Sequence, residues 1–327
     1  MAADPFRKFQ ASPISEGDLV MAYMSRESIV PLTIESDKIL NNRYGNYAHA
    51  DMIGMNFGSQ MASKNKTGFI YLLHPTPELW TLALPHRTQI LYAPDISYII
   101  SKLRVTPGSR VIEAGTGSGS FTHSFARTIG DSGNLYTFEF HEKRCETARA
   151  EFEAHGLLKV AEKEVIRLTH RDVCKNGFTL PDLQYAVDAV FLDLPAPWEA
   201  VPHLTPHLAK TTRLCCFSPC IEQVQRTVLT LKTEGWLEID CYEIAAREWE
   251  SRYVERKDIS EVVEKLREIK RRRVSGVKKD RKPAQRIKEG QAGMDWNEIA
   301  KPQSEIKSHT SFLLFAIKHD ARDDTVV

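Results

Sequence analysis

The sequence predicts an α/β protein with a doubly wound parallel sheet, preceded by a small all-β domain. Three observations carry this reading. Apolar runs of strand length alternate with helical periodicities after residue 94, a glycine-rich loop joins the first of those strands to a helix, and turn signals crowd the segment before residue 75. Of the 327 residues 42% are hydrophobic, enough for one large domain or a main domain with a satellite.

Residues 1–75 carry turn signals at Glu16-Gly17-Asp18, Asn42-Arg43-Tyr44-Gly45, Gly54, Gly58 and Asn65 to Gly68. Between them lie Leu19 to Tyr23, Ile29 to Ile34 and Phe69 to Leu73, rich in Val, Ile, Tyr and Phe, which read as strands. The stretch from His74-Pro75-Thr76-Pro77 to Leu84-Pro85 reads as a linker, because each Pro biases its predecessor away from helix. Residues 76–327 then form the second domain.

In that domain Ile96, Ile99, Ile100 and Leu103 follow helical spacing, and Pro107-Gly108 turns the chain into a strand at Arg110 to Ala114. Phe121, Phe125 and Ile129 share one helix face. A second strand at Leu135 to Phe140 precedes a helix with Cys145, Ala148 and Phe152 inward. Val165 to Thr169, Ala186 to Leu194 and Arg213 to Ser218 make the third to fifth strands. A helix aligned on Ile221, Val224, Val228 and Leu231 stops at Gly235, and Leu237 to Ala245 is the sixth strand. The last strand, Ser311 to Ile317, lies so far beyond it that an insertion is expected at about 256–307. Its first half is helical, with Ile259, Val262, Val263, Leu266 and Ile269 behind a capping arrangement of Asp258 and Glu261, and its second half reads as mobile.

The net charge of +1 conceals an asymmetry. Residues 265–288 hold twelve basic and two acidic side chains, which leaves 32 basic against 41 acidic in the remainder, a body of −9 with a strip of +10. The strip is where a polyanion would be met, or else a nuclear-import patch. No apolar run reaches the length of a membrane span, and Asp4, Arg7 and Lys8 interrupt the place of a secretory segment, so a soluble, non-secreted protein is expected. Six cysteines without a C-x-x-C pair suggest neither disulfides nor zinc, and His203 and His207 lack companions for a metal set.

The chemistry concentrates at strand ends. Glu113-Ala114-Gly115-Thr116-Gly117-Ser118-Gly119-Ser120 runs from the first strand into a helix, where open parallel sheets bind ligands. The pattern is G-x-G-x-G rather than the dinucleotide fingerprint, and Glu113 would repel a pyrophosphate while attracting ammonium and sulfonium groups. S-adenosyl-L-methionine carries both. Glu139, at the end of the second strand, is placed to accept ribose hydroxyls, and Arg144 to brace that acid or cover the adenine. Asp172 suits the adenine amino group, with Val173 packing on the ring. Asp193 leaves the apolar fourth strand into Leu194-Pro195-Ala196-Pro197-Trp198, where a buried carboxylate is costly unless paired or used. Pro195 and Trp198 are candidate apolar walls, Trp198 otherwise a core anchor.

The runs LPHRTQILYAPDISYII, EAGTGSGS, FEFHEKR, HRDVC and DLPAPWEAV together resemble the catalytic subunit family of eukaryotic tRNA (adenine-58-N1)-methyltransferase. The resemblance implies a Rossmann-like class I S-adenosylmethionine-dependent methyltransferase fold that methylates N1 of adenine 58 in the T-loop of tRNA. It implies cofactor contacts at Leu91, Ser118, Gly119, Ser120, Glu139, Arg144, Asp172, Val173 and Asp193, with Asp193 as catalytic acid and Tyr92 near the target base. Gly115 and Gly117 complete the cofactor loop. It further implies a non-catalytic sister subunit, a heterotetramer of two plus two, and a nuclear location. Two other functions fit such a sequence, a catalytically silent scaffold subunit that binds tRNA and a protein carboxyl methyltransferase of similar fold.

Overall fold

The computed structural model describes residues 5–6, 13–25, 28–65, 68–84, 91–181, 185–256, 258–276, 295–302 and 311–319. The chain divides into two compact units, one of residues 1–244 with 309–327 and one of residues 245–308.

The first unit begins with a four-stranded antiparallel sheet in the order Ser28–Thr33, Leu19–Ser25, Phe69–Leu73, Gln60–Ala62. One face closes over Val20, Ile34, Tyr47, Ile70 and Leu72, all fully buried, as the alternation of the strands requires. The stretch expected to be a linker contains a helix, α1 (Pro77–Ala83). Its Pro residues do not prevent it, because Thr76 caps the end through an Oγ1 that accepts from the Leu79 N–H at 3.2 Å, and Pro77 occupies the first turn, where no N–H is needed.

Beyond α2 (Ala93–Leu103) lies the seven-stranded sheet. Its strands are Arg110–Ala114, Asn134–Glu139, Ile166–His170, Val187–Leu192, Leu208–Ser218, Leu237–Tyr242 and Phe312–His319, first to seventh in chain order. In space they run third, second, first, fourth, fifth, seventh, sixth. The seventh is antiparallel to both neighbours, a departure from the all-parallel expectation. The earlier strands are joined by helical crossovers that keep them parallel, whereas the sixth and seventh are joined through the second unit. Those helices include α3 (Ser120–Ile129) and α4 (Glu142–Ala154), followed by the short α5 (Val173–Asn176) and α6 (Pro197–Ala200) and by α7 (Ile221–Thr233).

Both faces of the sheet are covered. Val111, Phe191, Cys215 and Phe315 face one core, while Ile112, Val190, Leu192, Cys216 and Leu314 face the other. Two-sided burial explains why these strands read as continuous apolar runs rather than alternating ones. No helix among the described residues is long and apolar enough to cross a membrane.

The second unit starts at Ala245, earlier than the boundary near 256 expected from sequence. The reason is an antiparallel pair, Trp249–Glu255 with Trp296–Pro302, that brackets the helix α8 (Ile259–Ser275). The Asp258 side chain caps α8 by accepting from the Ser260 N–H at 3.4 Å. The apolar residues at helical spacing, Ile259, Val262, Val263, Leu266 and Ile269, are exposed. Of the stretch beyond Arg273 that reads as mobile, Trp296–Pro302 instead forms a strand, held by its antiparallel pairing with Trp249–Glu255, and residues 277–294 and 303–307, with the strip beyond Gly276, lie outside the described residues.

Candidate active site

A cavity of about 620 Å³ opens beyond the carboxyl ends of the first four parallel strands. Leu91, Gly115, Gly117, Ser118, Ser120, Glu139, Arg144, Asp172, Val173, Asp193 and Pro195 all line it. Gly119, Tyr92 and Trp198 do not. Gly119 is the N-cap of α3 with φ of +73°, and a Cβ there would meet the Phe152 ring at 2.7 Å. Tyr92 is the N-cap of α2, and Trp198 lies under the Arg226 guanidinium, 5.3 Å from its ring centroid.

The glycine loop is built by close approach. Gly115 has φ of +91°, and a Cβ there would run into the Asp193 carbonyl oxygen, so the first and fourth strands bring their ends together only because this residue has no side chain. The Asp193 N–H donates to the Ala114 carbonyl at 2.9 Å, which joins the two strand ends. The far end of the loop is held from beneath. His123 Nδ1 bonds the Gly119 carbonyl at 2.7 Å, and its Nε2 lies 2.9 Å from Nδ1 of His155. Because the Gly119 oxygen only accepts, His123 carries its proton on Nδ1 and accepts from His155. Burial pushes both rings far below the usual histidine value, His123 to about 3 and His155 to about 4, so this pair is neutral.

Four carboxylates stand at strand ends or beside them. Glu139 is buried, and its Oε1 accepts from the His141 N–H at 2.8 Å and from Arg144 Nε and Nη2 at 3.0 and 2.8 Å. Its Oε2 accepts from the Gly117 N–H at 2.9 Å, which leaves one acceptor direction for a ligand hydroxyl. A second hydroxyl would have to displace the Gly117 N–H, a constraint the sequence did not reveal. Arg144 therefore braces the acid. Asp172 caps α5 through its Oδ1 and pairs with Lys175 at 3.4 Å.

Glu113 is buried beneath the loop, where its Oε2 accepts from the Thr122 hydroxyl at 2.7 Å. Burial pushes its carboxyl up to about 7; hydrogen bonds from Thr122 and Thr137 oppose the rise, and the negative charges of Asp193 and Glu139 add to it. Asp193 also rises to about 7, through burial first and then the charge of Glu139. Both acids would ionise more readily beside a cation.

Several lining residues escaped sequence reasoning. Phe140 extends its ring beside Glu139 with 63% of its surface exposed, an unusual position for Phe at the rim of a polar cavity. Gln223 donates from Nε2 to the Pro195 carbonyl at 3.0 Å while its Oε1 accepts from the Cys220 N–H at 3.2 Å, so the start of α7 holds the loop that follows Asp193. The spacing of Cys220 and Gln223 at the start of a helix was the available signal.

The cavity has five carboxylates, Glu113, Glu139, Asp172, Asp193 and Glu199, against the cations Arg144, Arg171 and Lys175. That balance favours a cationic ligand over a pyrophosphate. The size of the cavity, the side-chain-free approach at Gly115 and the open oxygen of Glu139 fit S-adenosyl-L-methionine.

The fold belongs to a class already seen in solved structures. An S-adenosylmethionine-dependent O-methyltransferase from Thermotoga maritima superposes with a TM-score of 0.71 at 23% identity, over 96% of this chain and 97% of its own. A tRNA (m1A58) methyltransferase from Aquifex aeolicus superposes with a TM-score of 0.63 at 20% identity, over 94% and 99%. This is the Rossmann-like fold of S-adenosylmethionine-dependent methyltransferases. Residues 68–318 match the family described as tRNA methyltransferase complex GCD14 subunit, and the chain belongs to that family. It is 48% identical to the tRNA (adenine(58)-N(1))-methyltransferase catalytic subunit TRM61 of Candida albicans, over 93% of this chain and 96% of the relative, and 46% identical to that of Schizosaccharomyces pombe, over 93% of each.

Proposed function

We infer that this chain is the catalytic subunit that transfers a methyl group from S-adenosyl-L-methionine to N1 of adenine 58 in the T-loop of tRNA. The observation that carries this reading is the set of acids at successive strand ends around one cavity, in a chain nearly half identical to catalytic subunits bearing that name.

The bound cofactor supplies an activated methyl on a sulfonium. The glycine loop and Glu113 would hold its amino-acid end, Glu139 its ribose, and Asp172 with Val173 its adenine. N1 of the target adenine is a weakly basic ring nitrogen, so the protein has chiefly to align it and stabilise the charge it acquires. Asp193 accepts from the exocyclic amino group of that adenine. The bond strengthens as the ring becomes cationic, which lowers the barrier more than it favours the ground state. Because N1 lies on the pairing edge, the base must leave its stack to enter the site. Tyr92 and Trp198 do not line the cavity, so as walls for the flipped base they would act from its approach rather than from within.

The chain works beside a non-catalytic sister subunit of the same fold, in a heterotetramer of two plus two, in the nucleus. The description of its family as a subunit of a complex supports the first of these, and the resemblance of its motifs supports all three. The body of −9 also favours a second subunit that offers tRNA a positive surface.

The test is methyl transfer from labelled cofactor by this chain co-purified with the sister subunit. Transfer to tRNA bearing adenine 58, and none to tRNA with another base there, is expected. Equal labelling of both, or labelling of protein alone, would overturn the reading.

A further inference from the structure

Ser120 opens α3 immediately after the glycine loop, lines the cavity and is 4% exposed. Its Oγ lies 2.7 Å from Oγ1 of Thr81, a buried residue of α1 thirty-nine positions earlier in the chain. The direction of that bond follows from a second one. Thr81 Oγ1 is also 2.8 Å from the Pro77 carbonyl, which can only accept, so the single hydroxyl hydrogen of Thr81 is spent there. Ser120 must then be the donor in the Thr81 bond. Its own hydrogen points away from the cavity, and only lone pairs remain for a ligand.

We propose that Thr81 is a positioning residue that makes Ser120 an obligate acceptor, and that the group recognised is the α-ammonium of the cofactor's amino-acid end. The inference rests on the cofactor reading above. Among the donors of that cofactor, the ribose would lie at Glu139, which can accept from one of its hydroxyls, and the adenine amino group at Asp172, beyond the ends of the second and third strands. Ser120 follows the first strand, beside Glu113, where the remaining donor is the ammonium. An unfixed serine hydroxyl could turn its hydrogen toward the ligand and accept or donate equally well. A fixed one rejects a ligand that brings an acceptor or nothing to this point.

α1 is itself anchored to α3, since Arg127 of α3 makes a two-pronged pair with Glu78 at 2.9 and 2.5 Å. The Thr81 hydroxyl is thereby held against the loop by the backbone of the helix that carries it. This assigns to α1 a role in cofactor selection that nothing in the glycine motif announces.

The experiment compares S-adenosylhomocysteine with its analogue lacking the α-amino group, by calorimetry on the full chain co-purified with the sister subunit. The wild type should prefer the amino ligand. Thr81→Val, which keeps the shape and removes the hydroxyl, should weaken the amino ligand about tenfold and leave the deaminated analogue nearly unchanged. Thr81→Ser should restore the preference, and Thr81→Ala serves in place of the valine variant if that one does not fold. In a Ser120→Ala background the Thr81 substitution should have no further effect on the preference. A preference unaltered by loss of the Thr81 hydroxyl in a folded protein would overturn the proposal while leaving the cofactor reading intact. Failure of the wild type to bind either ligand would overturn both.

Discussion

The Asp193 backbone carbonyl lies where a side chain on Gly115 would have to be. The residue proposed to stabilise the methylated base and the first glycine of the loop therefore meet through the backbone, so a side chain added at Gly115 would displace Asp193.

Gly115→Ala should lose cofactor binding and stability together. The left-handed backbone at φ of +91° costs a side chain about 1–2 kcal/mol, and the clash with the Asp193 carbonyl adds to it by forcing the strand ends apart. Thermal unfolding and cofactor calorimetry on the one variant would show both losses. A variant with wild-type affinity would mean that the strand ends separate freely.

Asp193→Ala should abolish methyl transfer with the fold intact, and Asp193→Asn should do nearly as much, because only the carboxylate offsets the developing cation. Since the group rises to about 7 through burial, kcat/KM in the wild type should climb with pH and level off above that value. Turnover within about tenfold of wild type in Asp193→Ala would sink the assignment.

Glu139→Ala and Asp172→Ala should act on cofactor affinity, by about 1–3 kcal/mol per lost contact. The Glu139 variant should be the worse of the two. It also releases the Gly117 N–H and both guanidinium bonds of Arg144, whereas Asp172 gives up one cap and an exposed pair with Lys175. Unchanged binding in both would remove the strand-end reading.

Glu113→Gln should stabilise the ligand-free protein at pH 8 and do little at pH 4. The native carboxyl titrates near 7 against an ordinary 4.5, so between those values the folded state holds a proton that the unfolded chain has released. Stability therefore falls as pH rises through that window and is constant above it. Glutamine keeps an acceptor for the Thr122 hydroxyl and removes the ionisation. Unfolding midpoints of the two proteins across pH 4–8 that run parallel would contradict this account.

Deleting residues 270–288 should weaken tRNA binding by the assembled enzyme and flatten its salt dependence, with cofactor affinity unchanged. The expectation follows from the +10 carried by residues 265–288 and the −9 of the rest. Wild-type affinity and salt slope in the deletion, together with failure to enter the nucleus, would make the strip an import signal instead.

By itself the sequence determined the strands of the seven-stranded sheet, the order in which their acids appear and the glycine loop that opens α3. Each is written in neighbouring residues: a two-sided apolar run at Val187–Leu192, three glycines between Ala114 and Ser120, an acid directly after a strand. It also contained α1, in the capping signal of Thr76 and Pro77, although the density of prolines there spoke for a linker. Tertiary structure alone decided the rest. The reversal of the seventh strand, the burial that carries Glu113 and Asp193 to about 7, the grip of Gln223 on Pro195 and the bond from Ser120 to Thr81 all join residues distant in the chain. A carboxylate's titration depends on what surrounds it, and a hydroxyl's direction on which partner can only accept. Neither is a property of a residue's own neighbours in sequence, so both came into being only when the strand ends met.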